Sequence, residues 1–187
     1  TEIQYRAFYN CTAMISITLP DTIVNISTQA FSGCANLESI ELPEGLRYIG
    51  NRAFTDCYAL TEFTIPESVT SIGSEILAYT HLRMASLEDL TLPYCGPNRA
   101  NATESLSYLF GGIAPGSLKS VKLAYAVSIP MGFMSSNAMT DPVSSIESID
   151  VPFLGETAEN GAEMSWLFGD PDNPLISAVL PTTLKEI

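Results

Sequence analysis

One phrase returns at a fixed interval, and that interval limits the possible folds more than any other feature of the chain. Ala30-Phe31-Ser32-Gly33-Cys34 leads into Leu37-Glu38-Ser39-Ile40-Glu41-Leu42-Pro43, and the same frame opens at Ala7-Phe8 and Ala53-Phe54. Phe8, Phe31 and Phe54 stand 23 residues apart, as do Cys11, Cys34 and Cys57, and Pro20, Pro43 and Pro66. A period of this size belongs to solenoids, whose units bury apolar surface only against their neighbours.

Within each unit one segment reads as a strand. Its last apolar residue falls at Leu19, Leu42, Ile65, Leu92, Leu123, Val151 and Leu180, at spacings of 23, 23, 27, 31, 28 and 29. Two positions earlier stand Ile17, Ile40, Phe63, Leu90, Val121, Ile149 and Ala178. Alternation at this spacing predicts a strand with one buried face. Proline follows in six of the seven units, Ala124 being the exception, and ends the strand because it cannot donate to a ladder. Beyond it, Ile23-x-x-Ile26, Leu46-x-x-Ile49 and Val69-x-x-Ile72 form a return segment too short for a regular helix. A short strand, a turn and a single 3₁₀ turn all fit that segment.

The expected architecture is one solenoid over 1–187, with regular coils over 1–72 and longer, looped coils over 73–187. The polar stretches 95–105, 134–145 and 155–162 read as loops. Leu106-Ser107-Tyr108-Leu109-Phe110-Gly111 replaces the Ala-Phe segment, and Met164-Ser165-Trp166-Leu167-Phe168-Gly169 repeats it 58 residues later. Ile3 and Ile187 both occupy the phase of Ile26, Ile49 and Ile72, and neither end carries a clear polar cap. A segment of a longer array is therefore expected.

The net charge of -13, from 21 acidic and 8 basic residues, argues against nucleic acid and anionic membranes as partners. The longest mainly apolar run, 124–134, is roughly half of the ~20 residues a membrane span needs. Four cysteines are too few for a disulfide scaffold. Stacked one coil apart, Cys11, Cys34 and Cys57 suit neither a tetrahedral zinc site nor a disulfide, and buried small residues at a tight bend are expected. Cys95, in a polar stretch, is expected to be exposed.

The pattern written by Leu37 to Cys57, Leu-x-x-Ile-x-Leu-Pro-x-x-Leu-x-x-Ile-Gly-x-x-Ala-Phe-x-x-Cys, resembles the BspA-like class of leucine-rich repeats. The match is close through Ile72 and holds beyond it in the strand alone. The Leu-Phe-Gly blocks look like a variant found in surface proteins of Gram-positive gut anaerobes. The resemblance implies a right-handed leucine-rich repeat solenoid with a concave parallel sheet of about seven short strands and little α-helix. It further implies a secreted or cell-surface bacterial protein that adheres to protein or surface glycan ligands, host-derived ones among them, without catalytic residues or cofactors.

The candidate site is the solvent face of that sheet, where alternate side chains point away from the core. The second coil places Glu38, Ser39 and Glu41 there, and the third Thr61, Glu62 and Thr64. The fourth adds Glu88, Asp89 and Thr91, the fifth Lys119, Ser120 and Lys122, and the sixth Glu147, Ser148 and Asp150. The result is an acidic stripe broken by one basic rung, suited to a basic or mixed-charge partner; a plainly solvated sheet face has the same composition. The two lysines would relieve repulsion between acidic rungs.

Other features carry less. His81, the one histidine, has no nucleophile beside it in sequence. Tyr108 and Trp166 share a repeat position and read as packing. Asp170-Pro171-Asp172-Asn173 is oxygen-rich but lacks the glycine and distal glutamate of an EF-hand. Of the sequons at Asn10, Asn25 and Asn101, only Asn101 falls in an expected surface loop. Two further readings compete with an adhesion module. One is a carbohydrate-active or carbohydrate-binding parallel β-helix with paired carboxylates; the other is a structural spacer for another domain.

Overall fold

The computed structural model describes residues 1–81, 85–112, 114–124 and 146–152, and these form a parallel β-solenoid. Each coil contributes a strand to one or both of two walls. The return wall consists of β1 (Glu2–Ile3), β3 (Asn25–Ile26), β5 (Tyr48–Ile49) and β7 (Ser71–Ile72), paired in that order. Ile3, Ile26, Ile49 and Ile72 stand in register, all pointing into the core. Of the three conformations open to the return segment, the short strand is therefore the one adopted.

The opposite wall holds β2 (Ser16–Ile17), β4 (Ser39–Ile40), β6 (Glu62–Thr64), β8 (Asp89–Leu92), β9 (Ser120–Leu123) and β10 (Ser148–Asp150). Six of the seven expected strands are thus present, and the seventh, around Leu180, lies outside the described residues. The wall is not one sheet. β2 pairs with β4, and β6, β8, β9 and β10 form a separate ladder, with no strand pairing between β4 and β6.

The turn between the walls is built on two left-handed residues in each of the first three coils and on one in the fourth. One is Arg6, Gln29, Arg52 or Glu75; the other is Asn10, Gly33 or Asp56, each set recurring at the repeat interval. They flank Ala-Phe and turn its ring inward. Phe8, Phe31 and Phe54 stack with centroids 5.0 and 5.2 Å apart, and Phe54 then meets Phe63 edge to face. The ladder ends there because Ile76-Leu77 takes the next Ala-Phe place. Gly50 and Gly73 follow the return strands where coils come closest: a Cβ on either would lie 2.4 Å from a backbone nitrogen of the preceding coil.

Beyond β7 the return wall changes. Pro97 accepts the amide of Ile72, a 3₁₀ turn spans Arg99–Asn101, and α1 (Ser107–Phe110) ends at Gly111 in the left-handed region. Leu77 donates to the Leu109 carbonyl, so α1 fills the Ala-Phe slot of its coil and buries Leu109 and Phe110. The stretch 95–105 is only partly a surface loop. Cys95 is buried rather than exposed, because its thiol turns inward to the Ser105 carbonyl at 3.3 Å.

Candidate functional site

On the wall that holds β2, β4, β6, β8, β9 and β10 among the described residues, period-two alternation sends Phe63, Leu90, Leu92, Val121, Leu123 and Ile149 into the core. The alternate side chains face water. Strand register stacks them in columns: Glu62, Asp89, Ser120 and Ser148 in one, Thr64, Thr91, Lys122 and Asp150 in the next. Glu38, Glu41, Glu62, Thr64, Asp89, Lys119, Lys122 and Asp150 are exposed, and Glu88, Thr91 and Glu147 are half-buried.

The basic rung joins its two neighbours. Lys119 reaches back to Glu88 at 2.7 Å, and Lys122 reaches forward to Asp150 at 2.8 Å. These hydrogen-bonded carboxylates raise both lysine pKa values. Exposed pairs of this kind contribute little to stability. Their consequence here is local charge compensation at coils four to six. Glu38, Glu41 and Glu62 form no ion pair among the described residues.

Two of these acids, Glu41 and Glu62, lie where the wall is broken. Between β4 and β6 a recess of about 410 Å³ opens. Leu19, Ile40, Leu42, Pro43 and Pro66 supply its apolar lining, and Asp21, Glu41, Glu44, Glu62 and Thr64 its polar edge. Reasoning from strand positions missed Asp21 and Glu44, which sit just after the strand-ending prolines. The signal was present: Asp21, Glu44 and Glu67 recur at the same 23-residue interval as Pro20, Pro43 and Pro66.

The other singled-out residues are structural or separate from this face. The thiols of Cys34 and Cys57 donate to the carbonyls of Phe8 and Phe31 in the preceding coil, at 3.1 and 3.3 Å. Burial pushes the Cys34 thiol up to about 11 and Cys57 higher still, which keeps both as donors. Tyr108 donates to the Ile72 carbonyl at 2.8 Å, a packing role. Exposed His81 lies 6.4 Å from the Tyr58 ring. Asn101 is exposed on its 3₁₀ turn. Among the described residues no three His, Cys, Asp or Glu side chains gather in a way that could hold a metal ion, and no helix is long and apolar enough to cross a membrane. Trp166, 134–145, 155–162 and Asp170 to Asn173 lie outside the described residues.

A family model described as the BspA type leucine rich repeat region matches residues 1–108 in 6 copies. No match is found among curated proteins. Among solved structures, a leucine-rich repeat protein of T. pallidum is 27% identical over 80% of this chain, with a TM-score of 0.58. One from Bacteroides ovatus is 28% identical over 80%, with a TM-score of 0.51. A leucine rich cell surface protein from Faecalibacterium prausnitzii, 19% identical with a TM-score of 0.54, shares the fold. The chain spans 62%, 43% and 36% of the lengths of these three.

Proposed function

Because the chain belongs to the BspA-type leucine-rich repeat family, we propose that it is a non-enzymatic protein-binding module of a secreted or cell-surface bacterial protein. The partner contacts the strand wall at coils two to four. One observation carries this reading: the uncompensated acids Glu41 and Glu62 edge a recess with an apolar lining, while in the next coils Glu88 and Asp150 are paired with lysines. Such a surface suits a basic segment, with an aliphatic side-chain stem against Leu42 and Pro66 and its cation at the carboxylates. Of the predicted face, Glu38, Glu41, Glu62, Thr64, Glu88, Asp89 and Thr91 fall within the proposed contact, extended by Asp21 and Glu44, and Lys119, Lys122, Glu147 and Asp150 lie beyond it on coils five and six.

Two variants of equal net charge test the location. Glu41→Lys with Glu62→Lys reverses the recess; Glu2→Lys with Glu104→Lys reverses two exposed acids outside the recess and its edge. Titration with an oligolysine peptide at low and physiological salt is expected to show about ten-fold weaker binding for the first pair alone. Equal loss in both pairs reduces the interaction to net charge and defeats the proposed site.

The F. prausnitzii protein that shares this fold is a cell surface protein, which is in keeping with the proposed localisation. Against the carbohydrate-active β-helix, the matching solved structures are leucine-rich repeat proteins. Product formation from a uronic-acid polysaccharide with added calcium would overturn the non-enzymatic reading.

A further inference from the structure

The turn after the return strand carries an arginine twice at the same repeat position, and the two are completed differently. Arg6, Gln29, Arg52 and Glu75 hold one left-handed position in coils one to four. Each arginine reaches the residue that holds this position in the next coil. Arg52 donates through Nε to Glu75 Oε2 at 2.7 Å, and a terminal guanidinium nitrogen lies 2.7 Å from the same oxygen. Arg6 donates through Nε to Gln29 Oε1 at 2.8 Å. The Nε contact is the same, but its acceptor is a neutral amide. Gln29 therefore fixes Arg6 without cancelling its charge, and no carboxylate among the described residues pairs with Arg6.

Coil one adds two rings. The guanidinium carbon of Arg6 lies 5.0 Å from the ring centroid of Tyr5 and 4.6 Å from that of Tyr9, within cation–π range of both. The Tyr5 hydroxyl also reaches Gln29 Oε1, at 3.4 Å. Coil three has Asn51 and Thr55 at the two ring positions. Tyr5, Arg6 and Tyr9 are exposed. Two rings and one amide thus hold a planar fork in place, with its terminal nitrogens unpaired among the described residues. The other described arginines are engaged: Arg52 pairs with Glu75, and Arg47 and Arg99 donate to the carbonyls of Ser68 and Glu67, both at 3.1 Å.

We infer that Tyr5, Arg6 and Tyr9 form a binding site for a carboxylated sugar, separate from the recess on the strand wall. A guanidinium fork takes a carboxylate through two parallel hydrogen bonds. The tyrosine rings offer an apolar face with a polar tip, which suits the C–H face and hydroxyl rim of a pyranose. The charge of the chain narrows the ligand further. At -13 overall it repels polyanions, and a single uncompensated fork stands here. One carboxylate on an otherwise neutral, ring-shaped body fits that balance; an acidic peptide or a heavily sulfated chain does not. The inference is independent of the strand-wall reading, which concerns a basic partner.

Methyl β-glucuronide is the probe, with methyl β-glucoside lacking the carboxylate and N-acetylglycine lacking the sugar. Saturation-transfer NMR with the full chain is expected to show saturable binding of the glucuronide through its ring protons, and weaker binding of both controls. Gln29→Glu gives Arg6 the internal partner that Arg52 already has, and should weaken glucuronide binding about ten-fold. Arg6→Lys keeps the charge but not the fork and should cost about as much, and Arg6→Gln should abolish binding. Either control binding as tightly as the glucuronide overturns the proposal. So does tighter binding of an oligoglutamate peptide, which assigns the site to an acidic protein. Absence of saturable glucuronide binding, or binding that Gln29→Glu leaves unchanged, overturns it as well.

Discussion

The two walls exchange roles along the molecule. Over the strictly repeating coils, the return wall carries a four-stranded in-register ladder, while the strand wall holds only the two-residue pair β2–β4. From coil three onward the strand wall becomes the four-stranded sheet, with strands of three and four residues. The return wall there passes to a 3₁₀ turn and α1. A coil needs only one continuous ladder to fix its neighbour, provided the core between the walls stays filled. The break between β4 and β6 is therefore tolerated where β5 and β7 still pair, and the wall that is freed is the one that opens a recess.

The largest expected effects separate shared core from open end. Phe54→Ala removes a fully buried ring packed against Phe31 and Phe63, and its loss should cost about 3–5 kcal/mol in urea unfolding. Phe8→Ala empties the same repeat position at the half-covered end and should cost markedly less. Equal costs would mean that coil one is as completely packed as coil three. Glycine substitutions compare walls in the same way. Gly50→Ala drives a Cβ against the Ser27–Thr28 backbone, for an expected loss of about 1–3 kcal/mol. At Gly33 the nearest obstacle is the Asn10 side chain, which can rotate away, but φ is +79°, so Gly33→Ala should cost about 1–2 kcal/mol through backbone strain rather than collision.

Alkaline titration reports on the thiol ladder. Cys34, fully buried, is raised from the ordinary thiol value of 9.0 to about 11 in the folded chain. The native state thus holds this proton where the unfolded chain has released it. Stability from this source is complete below about pH 9 and falls as pH rises toward 11, by up to about 1.4 kcal/mol per pH unit per thiol. Cys57 and Cys95 are raised further, also by burial, and extend the slope upward. Urea midpoints measured between pH 8 and 10.5 should fall only above 9. A C34S variant should show a shallower fall, and an identical one would remove this thiol from the account.

The sequence showed the coil because the coil depends on short-range rules. Alternation at Phe63 and Ile65 requires only that one face be apolar, and Pro43 stops a strand whatever lies beside it. It did not show the break between β4 and β6, which arises from how two coils meet and leaves no mark on either. Cys95 was misread for a related reason. Its neighbours are polar, but Pro97 continues the return wall by accepting from Ile72, which turns the thiol inward. The face itself was legible residue by residue, whereas its charge balance was not. Whether Lys119 turns toward Glu88 or Glu147 is a matter of side-chain geometry, as is the choice of Asp150 by Lys122.

That charge balance yields the smallest effect and the most discriminating one. Glu62 stands in register with Asp89, so like charges lie directly opposite on neighbouring strands. Glu41 and Glu44 share the recess edge with Glu62, and no lysine relieves them as Lys119 relieves Glu88. Glu62→Lys supplies the missing basic rung. The urea midpoint should rise slightly, and the rise should shrink at high salt, where exposed charges are screened. If the recess binds a basic segment, the same change should weaken oligolysine binding, so stability and affinity move in opposite directions. Lys122→Met tests the converse at the compensated end: Asp150 loses its partner, and that end should gain affinity for the peptide. A fall in both stability and binding with Glu62→Lys would mean that the carboxylate supports the fold itself, and the difference between the two halves of the face would then be one of packing rather than charge.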